Sequence, residues 1–376
     1  MPQPEGTNEK YIRVFYIPPF ISRMWMQRDR TFRIYNRGKW RFQTLSTQEI
    51  FRERVLVNTP DIAFLELSSF YDPAFTDIFT RLQSGDASLL DLDFYHTSYL
   101  IKVLSSYTNI RKEYWLCGID RLYTRERSGK RDPLEYDTVP LVTSELRTML
   151  RYSSLFFYQT ADLRGRLLKA PDDKAFVLGD NPVVLFNPLV SEDDPSTAAD
   201  FTANGTCVIL PISQKYALFL YDGDIYSVPG DEVIELSDDD WFRINMAEYA
   251  QSNLLLYASD DLVAFIKANA YLQIPEYLIK VPKEDVDPEF PPEILSRLSL
   301  SFLDFRRDVY YRIGAGEDFT EYPRPFIRKM EQYDMKMMEE SMDEDDIDIL
   351  TEKLKERKKY VTSLCLERSK INGNGE

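Results

Sequence analysis

An acid and an amide stand side by side at Asp180 and Asn181, within the stretch Phe176 to Pro188 that reads FVLGDNPVVLFNP. Pro182 pushes Asn181 toward extended backbone. Gly179 can take backbone angles closed to other residues, so Asp180 is expected to project from the rim of a sheet. Asn245 and Glu248 are three residues apart in a helical pattern, hence on one helix face. If that helix packs beside the turn, Asp180 and Glu248 could hold a hard cation such as magnesium or manganese, which takes one or two carboxylates plus substrate oxygens. Asn181 and Asn245 would orient the substrate, and Arg111 would clamp an anion through its forked guanidinium, with Arg13 and Arg166 as further candidates. The chemistry would be metal-assisted hydrolysis of a nucleotide or nucleic-acid phosphoester. Asp-Asn-Pro is equally an ordinary turn signal, whose aspartate accepts main-chain hydrogen bonds.

Other chemistries are disfavoured by what the chain lacks. His96 is the one histidine in 376 residues, which excludes a multi-histidine metal site and leaves any Ser/His or Cys/His mechanism a single base. Flanked by Tyr95 and Thr97 at a helix start, with no acid at helical spacing, it reads as a cap or core residue. There is no phosphate-binding glycine loop, dinucleotide fingerprint or zinc-ligand spacing. Cys117, Cys207 and Cys365 stand far apart, so reduced, buried thiols are expected rather than a disulfide framework.

The net charge of −16 argues against a protein that coats nucleic acid. It is unevenly spread: residues 1–60 hold 11 Lys/Arg and 5 Asp/Glu, whereas residues 181–240 hold one Lys and 12 Asp/Glu. Such asymmetry steers a partner or draws the two regions together. The polar first ten residues and the absence of an apolar run of ~18 residues lead us to expect a soluble cytoplasmic protein that makes no membrane contact.

The elements that must position these residues follow from periodicity and punctuation. Tyr11 to Ile17 reads as a strand, and Thr31 to Phe42 as a hairpin with Asn36, Arg37 and Gly38 at its tip. Apolar positions from Asp61 to Leu82 recur at helical spacing in two pieces divided by Pro73. Helices are also expected over His96 to Trp115 and Leu141 to Gln159, separated by a basic loop, Arg125 to Pro133. Strands are expected at Val183–Phe186, Val208–Leu210 and Tyr216–Tyr221, with an acidic loop from Ser191 to Asn204 and an Asp222–Asp224 turn. Ser237 caps a helix from Asp238 to about Tyr257. The segment 274–292 is a proline-rich linker. Beyond it, Phe326, Met330, Tyr333 and Met337 form a helical stripe, followed by an acidic run at 343–346 and a last helix over 347–369 that docks on a partner or on its own body.

FVLGDNPV, the strand pair VILPISQKYALFLY (Val208 to Tyr221) and the helix WFRINMAEYAQ (from Trp241) together resemble the bacterial and fungal family known as domain of unknown function 4238, over roughly residues 10–270. Members typically carry a strand entering Ser-Asp-Asn-Pro, a Pro-Leu-Ser strand pair and a Leu-Asn helix. The resemblance implies a site centred on Asp180 and Asn181, with Arg111 as the arginine after the middle helix. It also implies departures: Tyr11 or a neighbour replaces an N-terminal histidine, Asn36 an aspartate, and Tyr71 or Asp72 a glutamate. The family's function is unassigned, so no reaction follows from it.

These readings give an α+β fold: an N-terminal β-hairpin, a helical middle, a mostly antiparallel sheet over about 176–226 packed by a long helix, and a helical C-terminal extension. Residues 1–270 would form the α+β domain, 271–292 the linker and 293–376 the extension. Two functions stay open. One is the metal-assisted hydrolase; the other is a non-catalytic protein that binds a protein partner through its acidic face and C-terminal helices. Nucleic acid is left undecided as a ligand.

Overall fold

The computed structural model describes residues 11–15, 17–36, 41–46, 52–56, 73–90, 97–105, 141–142, 156–189, 200–252, 254–258, 260–269, 300–314, 323–341, 356–357 and 359–364. His96, Arg111, Cys117, Cys365, the side chain of Arg13, the basic loop, the segment 274–292 and the acidic run 343–346 lie outside the described residues.

Strand β1 (Tyr11–Phe15) is followed by a helical turn, α1 (Pro19–Ser22), and by the expected hairpin of β2 (Thr31–Asn36) and β3 (Arg41–Ser46). β1 pairs antiparallel with β4 (Arg52–Leu56). Helix α2 (Pro73–Gln83) begins on its proline, where the missing N–H is harmless, and α3 covers 97–105. Where a helix was expected from Leu141, residues Leu141–Val142 instead form β5, parallel to β4. A β-branched residue and a leucine just after Pro140 suit a short buried pairing as well as a helix start.

The next strands are β6 (Arg164–Lys169), β7 (Leu178–Gly179), β8 (Val184–Phe186), β9 (Cys207–Pro211), β10 (Tyr216–Tyr221), β11 (Tyr226–Ser227) and β12 (Val233–Glu235). Helix α4 (Asp238–Gln251), β13 (Leu254–Tyr257) and helix α5 (Asp260–Asn269) follow. The chain continues with β14 (Asp304–Phe305) and helices α6 (Arg307–Gly314) and α7 (Pro325–Ser341). Two larger sheets organise the molecule. One has five strands in the order β12-β6-β10-β9-β8, antiparallel except where β12 meets β6; the other is antiparallel with the order β3-β2-β13-β7. The fold is α+β.

Two corrections bear on the site. The apolar runs flanking Asp-Asn-Pro belong to different sheets: β7 closes the four-stranded sheet and β8 the five-stranded one, so the turn is a crossing between layers. The helix expected to reach Tyr257 stops at Gln251, where Ser252 turns extended, and Leu254–Tyr257 becomes a central strand between β2 and β7. A continuous Leu-Leu-Leu-Tyr run carries no helical periodicity, and burial of Leu255, Leu256 and Tyr257 suits a strand flanked on both edges.

The C-terminal segment is seated on the same core. β14 pairs with β11, and Phe302 meets Phe219 edge-on at 5.5 Å. Phe326, Ile327 and Met330 of α7 are buried, as is Val361. Arg357 forks onto Asp334 with two 2.6 Å bonds and lies 4.8 Å above the Tyr158 ring. Among the described residues no helix is long and apolar enough to cross a membrane.

Candidate functional site at the Asp-Asn-Pro turn

Strand β7 is an edge strand, and one side of the 175–181 backbone would lack partners if nothing covered it. Helix α4 covers it. Trp241, Asn245, Glu248 and Ser252 recur every three or four residues, so they form one helix face. Trp241 Nε1 donates to the carbonyl of Ala175 at 2.9 Å, and Asn245 Oδ1 accepts from Val177 N–H at 2.8 Å. Glu248 Oε1 accepts from Gly179 N–H at 2.6 Å, and Ser252 Oγ accepts from Asn181 N–H at 3.4 Å. Each step advances about 5.5 Å along the helix and about 6.7 Å along the strand, close enough for four side chains to stay in register. Asn245 is locked further by donating from Nδ2 to the Trp241 carbonyl at 2.9 Å, and Gln251 Nε2 donates to the Asn181 carbonyl at 2.7 Å. The opposite side of the segment is held by Trp25, which donates to the Phe176 carbonyl at 2.8 Å, and by Leu254, whose carbonyl accepts from Asp180 N–H at 2.9 Å.

Gly179 is a glycine for a reason the sequence did not show. The positive-φ glycines among the described residues are Gly85, Gly205 and Gly230, so Gly179 is not there for its backbone angles. A Cβ on Gly179 would stand 1.8 Å from Ser252 Oγ and 2.8 Å from Glu248 Oε1. Its missing side chain is what lets the helix approach the strand.

The structure thus brings Asn245 and Glu248 to the segment that carries Asp180 and Asn181. Asp180 and Asn181 are half-buried, whereas Asn245 and Glu248 are fully enclosed. Arg166, expected as an anion grip, donates to the Gly165 carbonyl at 2.9 Å and lies 6.0 Å from the Tyr221 ring, within the five-stranded sheet. Among the described residues no three His, Cys, Asp or Glu side chains are grouped to hold a metal ion.

Burial raises the Glu248 carboxyl to about 8, against the pull of the Gly179 and Gln251 hydrogen bonds and with the negative charge of Asp180 adding to the rise. Glu248 is therefore uncharged at neutral pH. The folded chain holds this proton more tightly than the unfolded chain, so the stability it contributes is complete below the ordinary glutamate value of 4.5 and is lost as pH rises through 8. Urea unfolding of wild type between about pH 5 and about pH 8 should lose up to roughly 1.4 kcal/mol per pH unit more than Glu248→Gln does. Equal slopes for the two proteins would mean that Glu248 is ionised in the fold.

Sequence reasoning missed two features. A salt bridge between Arg324 and Asp162 is buried, with Nε to Oδ2 at 2.9 Å and 1% and 0% of the two side chains exposed. A cleft of about 510 Å³ opens between residues 173–175, the start of α4 and α5. The Trp241-Phe242 pair directly after three aspartates was the one sequence signal for the cleft. Nothing local marks Arg324, because its partner lies 162 residues away.

An edge strand clamped by the polar face of a helix, at a crossing between two sheets, defines this as an α+β protein built around the Asp-Asn-Pro turn. Residues 118–261 match the family described as a protein of unknown function (DUF4238), a span that includes the turn, α4 and β13. No curated protein and no solved structure matches the chain.

Proposed function

We propose that the chain is a non-catalytic binding protein, and that Asp180, Asn181, Asn245 and Glu248 build its scaffold while its acidic face makes the contact. The observation that carries this reading is the engagement of Asn245, expected to orient a substrate, and Glu248, expected to hold a cation: each accepts a hydrogen bond from a main-chain N–H of the edge segment. A hard cation wants charged oxygens with lone pairs to give. Glu248 is fully enclosed and both of its oxygens accept hydrogen bonds, Oε1 from Gly179 N–H at 2.6 Å and Oε2 from Gln251 Nε2 at 3.3 Å, so this pair fits a magnesium or manganese ion poorly. No hydrolytic step is derived through one.

Phe326 and Met330 of the C-terminal stripe, for which docking on a partner or on the chain's own body was open, are buried against the chain's own core. The acidic face is thereby the contact surface this reading favours, with Asp231, Glu232, Glu235, Asp238 and Asp239 exposed around the start of α4.

Thermal unfolding with and without millimolar magnesium, manganese or calcium tests the choice. An ion at ~100 times its dissociation constant would add about 2.7 kcal/mol. We expect no ion-dependent shift in wild type, and melting of Glu248→Gln close to wild type at neutral pH, because glutamine keeps the acceptor that Gly179 needs. A rise in wild type that Asp180→Ala abolishes would restore the metal site and sink the binding reading.

A further inference from the structure

We propose that the cleft beside α4 and α5 docks a basic segment of a partner protein through an arginine or lysine side chain; this rests on the binding reading above and names the chemistry of the partner. The floor is aromatic. Trp241 is fixed by its bond to the Ala175 carbonyl, Phe265 meets it edge-on at 5.7 Å, and Phe242 meets Phe265 edge-on at 5.5 Å. The rim is acidic, with exposed Asp173 and Asp261 among the lining residues. Among the described residues neither carboxylate has an ion-pair partner.

The chain itself displays the contact that the cleft would offer. Lys174, also on the lining, holds its ammonium 4.9 Å from the Trp241 ring centroid while pairing with Asp238 at 2.6 Å. A cation over an aromatic face, closed by a carboxylate, is a stable arrangement here. Lys174 is balanced by Asp238, so Asp173 and Asp261 remain to attract an incoming charge. A volume of about 510 Å³ admits more than one side chain, within the range of pockets that hold ligands. Trp241 and Phe265 are buried and Phe242 is half-buried, so a planar guanidinium would stack on the Phe242 ring while forking onto a rim carboxylate.

The probe is a fluorescein-labelled octapeptide alternating glycine and arginine, titrated with the full chain and read by anisotropy at low salt, where exposed charges are least screened. Asp173→Asn/Asp261→Asn should weaken binding at least about ten-fold, as loss of paired charges at a contact does. Phe242→Leu, which keeps an apolar side chain but removes the ring, should weaken it several-fold. Asp77→Asn/Asp304→Asn removes the same charge from exposed positions outside the cleft and should leave binding near wild type. Equal weakening by both double variants reduces the effect to net charge and overturns the cleft, as does a wild type that binds nothing. Loss of binding in Glu235→Gln/Asp239→Asn with the cleft variants unchanged also overturns the cleft, while leaving the acidic face as a binding surface. A wild type that self-associates in sedimentation, and dissociates on Asp173→Asn/Asp261→Asn, makes a second copy the occupant and overturns the partner segment.

Discussion

Arg324→Leu is expected to lower the unfolding free energy by about 3 to 5 kcal/mol, the usual result of leaving one charge of a buried pair without the other. Arg324 places Nε and one terminal nitrogen on Asp162 at 2.9 and 3.0 Å. It also donates to the carbonyls of Ala203 at 3.0 Å and Gln159 at 2.5 Å, and its own N–H bonds to the Thr202 carbonyl. One side chain thus ties α7 to the turn before β6 and to the loop before β9. Its charge also opposes the effect of burial on Asp222, whose carboxyl is raised by desolvation and held back first by Arg324. Removing Arg324 leaves the buried Asp162 carboxylate without its guanidinium. Urea denaturation is the measurement, with Asp162→Leu/Arg324→Leu as the informative companion. That pair should recover much of the loss, because two matched apolar side chains can replace a buried ion pair at little net cost. A single-variant loss below about 1 kcal/mol would put the bridge among surface pairs and refute its burial.

Gly179→Ala is the second large effect. The added methyl carbon would fall 1.8 Å from Ser252 Oγ and 2.6 Å from its Cβ, so either the strand or the helix end has to move. Overpacking commonly costs about 1 to 3 kcal/mol. Here it also displaces Glu248 from Gly179 N–H, and a buried donor left unmade adds about 1 to 3 kcal/mol. We expect a loss of several kcal/mol, read as a lower urea midpoint. Ser252→Gly in the same chain should restore part of it, since two of the three closest atoms belong to Ser252. Recovery by Ser252→Gly would show that the fault is space. A Gly179→Ala protein as stable as wild type would mean that α4 does not lie against β7.

Much of the local structure was legible because its causes are local. The hairpin at Thr31, the strands at Val184, Cys207 and Tyr216, and the cap at Ser237 each follow from neighbours a few residues away. The cap even kept its mechanism: Ser237 Oγ accepts from Asp240 N–H at 3.1 Å. The helix spacing that put Asn245 and Glu248 on one face was also readable. What it could not say was where their oxygens point. Asp240 makes the same point: it sits in the first turn of α4, yet it is buried and accepts from Ser301 N–H at 2.8 Å, 61 residues on.

The sequence by itself determined the α+β class, the turn at Asp180 and Asn181, and the polar face of α4, since propensity, capping and periodicity act within a dozen residues. The tertiary structure alone decided that the turn joins two sheets, that Leu254–Tyr257 is a central strand rather than a helix end, and that Arg324 finds Asp162. It also decided the character of Glu248. A carboxylate exposed on a helix and a neutral acid sealed against Gly179 are the same residue in the sequence; only packing removes the water that would have kept it charged.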